Sequence, residues 1–108
     1  MCRKITGATT SLNLSIPSTT FTLTSGKLKF LRTTHSDDGF EFKLAFCENC
    51  GTPIYVELEG TMSGVYVVQA GSLDDTSPLE AVPAEELNIK HRMKWISTID
   101  GAVQKEGY

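Results

Sequence analysis

Apolar and polar residues alternate with a period of two along much of this chain. In "FEFKLAF", Phe40, Phe42, Leu44 and Phe46 alternate with Glu41, Lys43 and Ala45. Successive side chains of a strand point to opposite sides, so this pattern predicts a strand with one buried face. "PIYVELEG" repeats the pattern, with Ile54, Val56 and Leu58 set against Tyr55, Glu57 and Glu59. "VYVVQA", residues 65–70, is nearly all apolar and predicts a central strand. "FTLTSGKLKFL" sets Phe21 and Leu23 against Leu28 and Phe30 across Ser25-Gly26. It predicts a hairpin whose glycine supplies a positive-φ turn position. "SDDG", residues 36–39, predicts a second turn leading into the Phe40 strand. Gly71, Asp74-Asp75, Pro78 and Pro83 then punctuate the chain, and a last apolar segment carries Leu87, Ile89, Trp95 and Ile96. Helix signals are weak: "PAEELNIKHRM" predicts one or two turns, and "ITGATTS" is too short and β-branched to extend far. The reading is a mostly-β antiparallel domain of six or seven strands.

At 108 residues the chain is expected to form one domain, residues 1–108, with one core. A formal charge of −3 argues against a nucleic-acid partner, whose electrostatic footprint is basic. No run approaches the roughly 20 apolar residues of a membrane span, and the first residues lack the continuous apolar stretch of a secretory signal. Three cysteines make an odd and sparse set, unlike a disulfide scaffold. A reducing cytoplasm is therefore the expected compartment.

The chemistry concentrates in "AFCENCGTP", residues 45–53, which puts Cys47 and Cys50 three positions apart and follows them with Gly51. A CxxC leaving a strand suits zinc, because one turn brings both thiolates to a single ion. Gly51, without a Cβ, lets backbone N–H groups point at the sulfurs. The rival is a redox pair of the thioredoxin kind, which wants a helix N-terminus beside the first cysteine; here the cysteines run through Gly-Thr-Pro into a β pattern. Two inert buried thiols are the third reading. Metal is favoured of the three.

A structural zinc takes four ligands, and two thiolates do not close a tetrahedron. Cys2 is the remaining cysteine. His35, in the polar "THSDDG" turn, reads as solvated, and His91, among Lys90, Arg92 and Lys94, reads as part of an exposed basic face. Neither completes the site. Asp74 and Asp75 suit a turn in which a carboxylate holds backbone N–H groups.

The ordered set "CRKITGA", "FCENCGTP", "GSLDD" and "HRMKWISTIDGAVQKEGY" resembles the glutathione-dependent formaldehyde-activating enzyme (GFA) family, also called the centromere protein V type of domain. The resemblance runs over nearly the whole chain. It implies an Mss4-like fold, antiparallel sheets in a tent-like arrangement around zinc. Members carry the cysteine pattern CxC, then CxCxxC, then CxxC. A structural zinc takes the CxC pair and the CxxC; a second zinc takes the three cysteines of CxCxxC and keeps a position open for a thiol. Cys47 and Cys50 match the CxxC, and Cys2 matches the last cysteine of CxCxxC. The other four cysteines have no counterpart, so the sequence reads as N-terminally incomplete against the family pattern. Asn88 stands where relatives often have His.

The resemblance implies zinc-dependent carbon–sulfur lyase or adduct-forming chemistry on glutathione or a similar small thiol and an aldehyde. Arg3 and Lys4 would attract the carboxylates of an anionic thiol. The alternative is a non-catalytic β module, zinc-binding or metal-free, acting through protein contacts. A homodimer in which two CxxC pairs close one zinc site is the corresponding assembly.

Overall fold

The computed structural model describes residues 2–60 and 63–108. They form two compact units, one ending at Asp75 and the other running from Thr76 to Tyr108. No helix among the described residues is long and apolar enough to cross a membrane.

The first unit opens with the five-residue helix α1 (Cys2–Thr6). The β-branched residues around Gly7 then end it, and Gly7 takes a positive φ of 68°. Five strands follow: β1 (Asn13–Pro17), β2 (Leu28–Thr34), β3 (Glu41–Cys47), β4 (Pro53–Leu58) and β5 (Val65–Gln69). They form one antiparallel sheet in the order β1-β5-β4-β3-β2. The mostly-β, antiparallel expectation holds, and β5 lies inside the sheet as its apolar run requires. Strand β1, in which Leu14 and Ile16 are half-buried between exposed neighbours, was not singled out in the sequence.

The structure corrects three expectations. Phe21 and Leu23 do not pair with Leu28 and Phe30. Residues 21–24 form no strand, and β2 instead runs along β3 from Leu28↔Cys47 to Thr34↔Glu41. Phe21 turns its ring onto the sheet face, edge-on to Tyr55 at 4.9 Å and to Tyr66 at 5.8 Å. Burying that ring against two others outweighs a short ladder of threonine-rich backbone. The glycine expectation survives, with Gly26 at φ 80°.

Strand β3 is buried on both faces rather than one. Phe42 and Leu44 are covered on one side, while Ala45 on the other is 0% exposed. Ala45 clusters with Tyr55 and Val68, and Ile16, Phe21, Leu28 and Tyr66 pack around them. These residues fall together because Ala45↔Tyr55 and Tyr55↔Val68 are cross-strand partners. A small side chain at position 45 leaves room for the stacked Tyr55 and Tyr66 rings, 4.0 Å apart.

The third correction is His35, which is buried at 4% exposure rather than solvated. Its ring stacks on Phe40 at 4.9 Å, and Nδ1 lies 3.0 Å from Asp38 Oδ2. The imidazole thereby anchors the β2–β3 turn, which His35 N–H→Phe40 O (2.8 Å) and Gly39 N–H→His35 O (3.0 Å) close.

The second unit holds the short helix α2 (Ser77–Glu80), then β6 (Glu85–Glu86) and β7 (Val103–Gln104), paired in parallel. The segment 83–93 forms one 3₁₀ turn at Ile89–His91. Asn88 precedes it in the left-handed conformation at φ 54°, which Asn tolerates better than most residues. Glu86 organises this unit: its Oε2 accepts from Ile99 N–H (2.9 Å) and Gln104 Nε2 (2.8 Å) and meets Arg92 at 3.0 Å.

Candidate functional site

The CxxC occupies the turn between β3 and β4. Cys47 is the last residue of β3, and its N–H donates to Thr52 O while its carbonyl accepts from Gly51 N–H, both at 2.9 Å. Gly51 takes φ 75°, a conformation that costs any L-residue with a Cβ. The β3–β4 register shifts between Ala45 and Phe46. Such a bulge re-aims the strand end just before the first thiol.

Cys47 is half-buried and Cys50 exposed. The Cys50 sulfur lies 3.1 Å from the Thr52 hydroxyl. That hydroxyl, the Thr52 backbone N–H and the Cys47 thiol hold the Cys50 thiol below its ordinary pKa, because each hydrogen bond favours the thiolate. Thr52 was not recognised as a partner from the sequence, although its place in "CGTP" directly after the pair is the signal that identifies it.

The surroundings of the turn are open. Phe21, Leu23, Leu28, Phe30 and Tyr55 line a groove of about 520 Å³. Gly26, Lys27 and Glu48 border both that groove and a recess of about 310 Å³ that reaches Cys47 and Asn49. Glu48 N–H donates to Lys27 O at 3.0 Å, tying the turn to the loop before β2.

The other expected site residues lie elsewhere. Cys2 begins α1 and is half-buried; Arg3 and Lys4 are exposed on the same helix. The Thr6 hydroxyl donates to the Cys2 carbonyl at 3.1 Å, closing that single turn. Among the described residues no three His, Cys, Asp or Glu side chains converge as a metal-binding group. The structure places Cys47 and Cys50 in one turn, while Cys2 stands at the start of α1. Asp74 is exposed just beyond the 3₁₀ turn Ala70–Ser72, and His91 is exposed in the second unit.

Residues 1–91 match the family described as glutathione-dependent formaldehyde-activating enzyme. The chain belongs to this family. The resemblance read from the ordered motifs is thereby shown, and the matched GFA range takes in Cys2, both cysteines of the CxxC turn and Asn88. No curated protein and no solved structure matches the chain.

Proposed function

We propose that this GFA-family protein performs zinc-dependent carbon–sulfur chemistry, joining or separating an aldehyde and glutathione or a similar small thiol. The observation that carries the reading is the family match across the CxxC turn, in which the two thiols share one turn and the Cys50 sulfur lies 3.1 Å from the Thr52 hydroxyl. That donor set fits zinc: two soft sulfur ligands with polar support behind them. Cys47 and Cys50 would hold one ion, and Cys2 would contribute to a second. Bound zinc lowers the pKa of a coordinated thiol and so supplies a thiolate at neutral pH.

The chain's own residues account for binding and orientation. Gly51 and Thr52 hold the sulfurs in the turn. Arg3 and Lys4 offer positive charge to the carboxylates of an anionic thiol. A cytoplasmic setting, rich in small thiols and reducing, suits both the ligands and the substrate class.

Native mass spectrometry of the 108-residue protein tests the metal, and NMR detection of a thiol–aldehyde adduct tests the reaction. Zinc bound to the wild type, and lost in Cys47→Ala and Cys50→Ala, is the expected result. Half a zinc per chain in a dimer would mean that two CxxC turns share the ion. A folded, zinc-free monomer that forms no adduct would sink the enzymatic reading and leave a β module acting through contacts.

A further inference from the structure

We propose that the open edge of β2 is a self-association surface, along which a second copy of this chain pairs its own β2 antiparallel about a two-fold axis at Leu31. This inference goes beyond the zinc reading and does not rest on it.

Strand β2 (Leu28–Thr34) ends the five-stranded order, and among the described residues β3 alone pairs with it. The ladder fixes which backbone groups face outward. Glu48 N–H→Lys27 O (3.0 Å) and His35 N–H→Phe40 O (2.8 Å) continue, at its two ends, the register that runs from Leu28↔Cys47 to Thr34↔Glu41. Hydrogen-bonded and non-hydrogen-bonded pairs alternate along an antiparallel ladder. Lys29, Leu31 and Thr33 therefore bond to β3, and the N–H and C=O groups of Leu28, Phe30, Arg32 and Thr34 point away from it. The thiol turn agrees: Cys47, opposite Leu28, sends its N–H to Thr52 O instead.

Such an edge is a template for another strand unless shortness, proline or charge blunts it. The opposite edge, β1, has five residues and ends in Pro17. Strand β2 has seven and no proline. Its two cations are held within the protomer, Lys29 at 3.6 Å from Glu48 and Arg32 at 3.0 Å from Glu59. Between them Phe30 and Leu31 are 54% and 55% exposed. Neighbours in a strand point to opposite faces, so one strand laid along the edge covers both.

The residues of β2 select its own copy and one register. A two-fold at Leu31 uses the whole strand: Leu28 meets Thr34 of the partner subunit, Lys29 meets Thr33, Phe30 meets Arg32, and Leu31 meets itself. Outward backbone groups then meet outward groups. No cation faces another, and each Phe30 ring stands opposite a guanidinium. A two-fold at Arg32 would set like charges together, and one at Phe30 would carry the pairing past β2 to Gly26, at φ 80°. A slip of one residue sets outward groups against inward ones. The two Leu28 residues, and the CxxC turns beside them, stand at opposite ends of the joined strands, roughly 20 Å apart. This dimer is therefore distinct from one in which two CxxC turns share an ion.

Sedimentation equilibrium of the full 108-residue chain at about 10–100 µM tests the assembly, and a dimer is expected. Leu31→Lys sets an ammonium against its own copy at the axis and should weaken the dimer about tenfold or more. Circular dichroism checks that this exposed position leaves the sheet intact. Leu31→Cys reads the register. Non-hydrogen-bonded partners bring their Cα atoms to about 4.5 Å, within disulfide reach. Mild oxidation should therefore link the two position-31 residues, mapped by peptide mass spectrometry, and Thr33→Cys should give no such link. A monomer throughout the range, a dimer that Leu31→Lys leaves intact, or no link at position 31 would each overturn the proposal. Zinc per chain, measured on the same sample, reads the metal proposal separately.

Discussion

Tyr55 shows how a neighbourhood sets a residue's chemistry. Burial pushes its phenol up to about 12, and a hydrogen bond with the Tyr66 hydroxyl adds to the rise. An unfolded tyrosine ionises near about 10, so the folded chain holds this proton where the unfolded one has lost it. The contribution to stability is full below about pH 10 and is lost as pH rises through about 12. Alkaline titration of tyrosinate absorbance should show one late phase, absent in Tyr55→Phe. Gly51 is the second test at this scale. Gly51→Ala places a Cβ at φ 75° and should cost about 1–2 kcal/mol in chemical unfolding, with a fall in zinc retention if the turn holds metal. The Cys47–Cys50 pair and the need for a glycine beside it are visible in the sequence, since both depend on local spacing. The burial of His35 is not. A polar "THSDDG" string looks solvated, whereas the turn brings the ring of Phe40 back to stack on the imidazole.

Among the elements, β3 bears the most. It carries both faces of the sheet at Phe42, Leu44 and Ala45 and delivers Cys47 to the site. Ala45 is 0% exposed beneath the tyrosines, so Ala45→Leu has no room. It should destabilise the chain by about 1–3 kcal/mol, read from the midpoint of urea unfolding. The change should also reach the thiols, because Ala45 lies just before the register shift at Phe46. Strands β3, β4 and β5 were legible because their period-two patterns are long and strong. Strand β1 was not, since Leu14 and Ile16 are only two apolar positions in a polar run and depend on pairing with β5 for their meaning. The misread hairpin has a similar origin. Either β3 or residues 21–24 satisfies the apolar pattern of β2, and sequence spacing does not choose between a neighbour in the chain and one in space.

At the level of the whole molecule, the two units carry different kinds of organisation. The first is a sheet with an aromatic cluster. The second is held by polar contacts around Glu86, where the N–H of Ile99, the Gln104 amide and Arg92 hold the carboxyl below its ordinary pKa. A depressed carboxylate stabilises the fold above its unfolded pKa, near about 4.3, and that contribution is lost as pH falls through the lower folded value. The Ile99 amide resonance should therefore titrate below the ordinary glutamate range, and Glu86→Gln should remove the transition. A Glu86 carboxylate titrating in the ordinary range would contradict this network.

The sequence alone determined the strand-forming stretches, the thiol pair with its turn glycine, the acidic balance and, through ordered motifs, the family. Each is a property of residue type at short spacing, and period, turn geometry and charge are set within a few residues. Tertiary structure decided which strand β2 joins, that Phe21 lies across the sheet, that Ala45 is as buried as Phe42, and that His35 and Thr52 have partners. Those outcomes are competitions between contacts distant in the chain. The winner depends on which surfaces three-dimensional packing leaves to be covered, and local spacing carries no term for that.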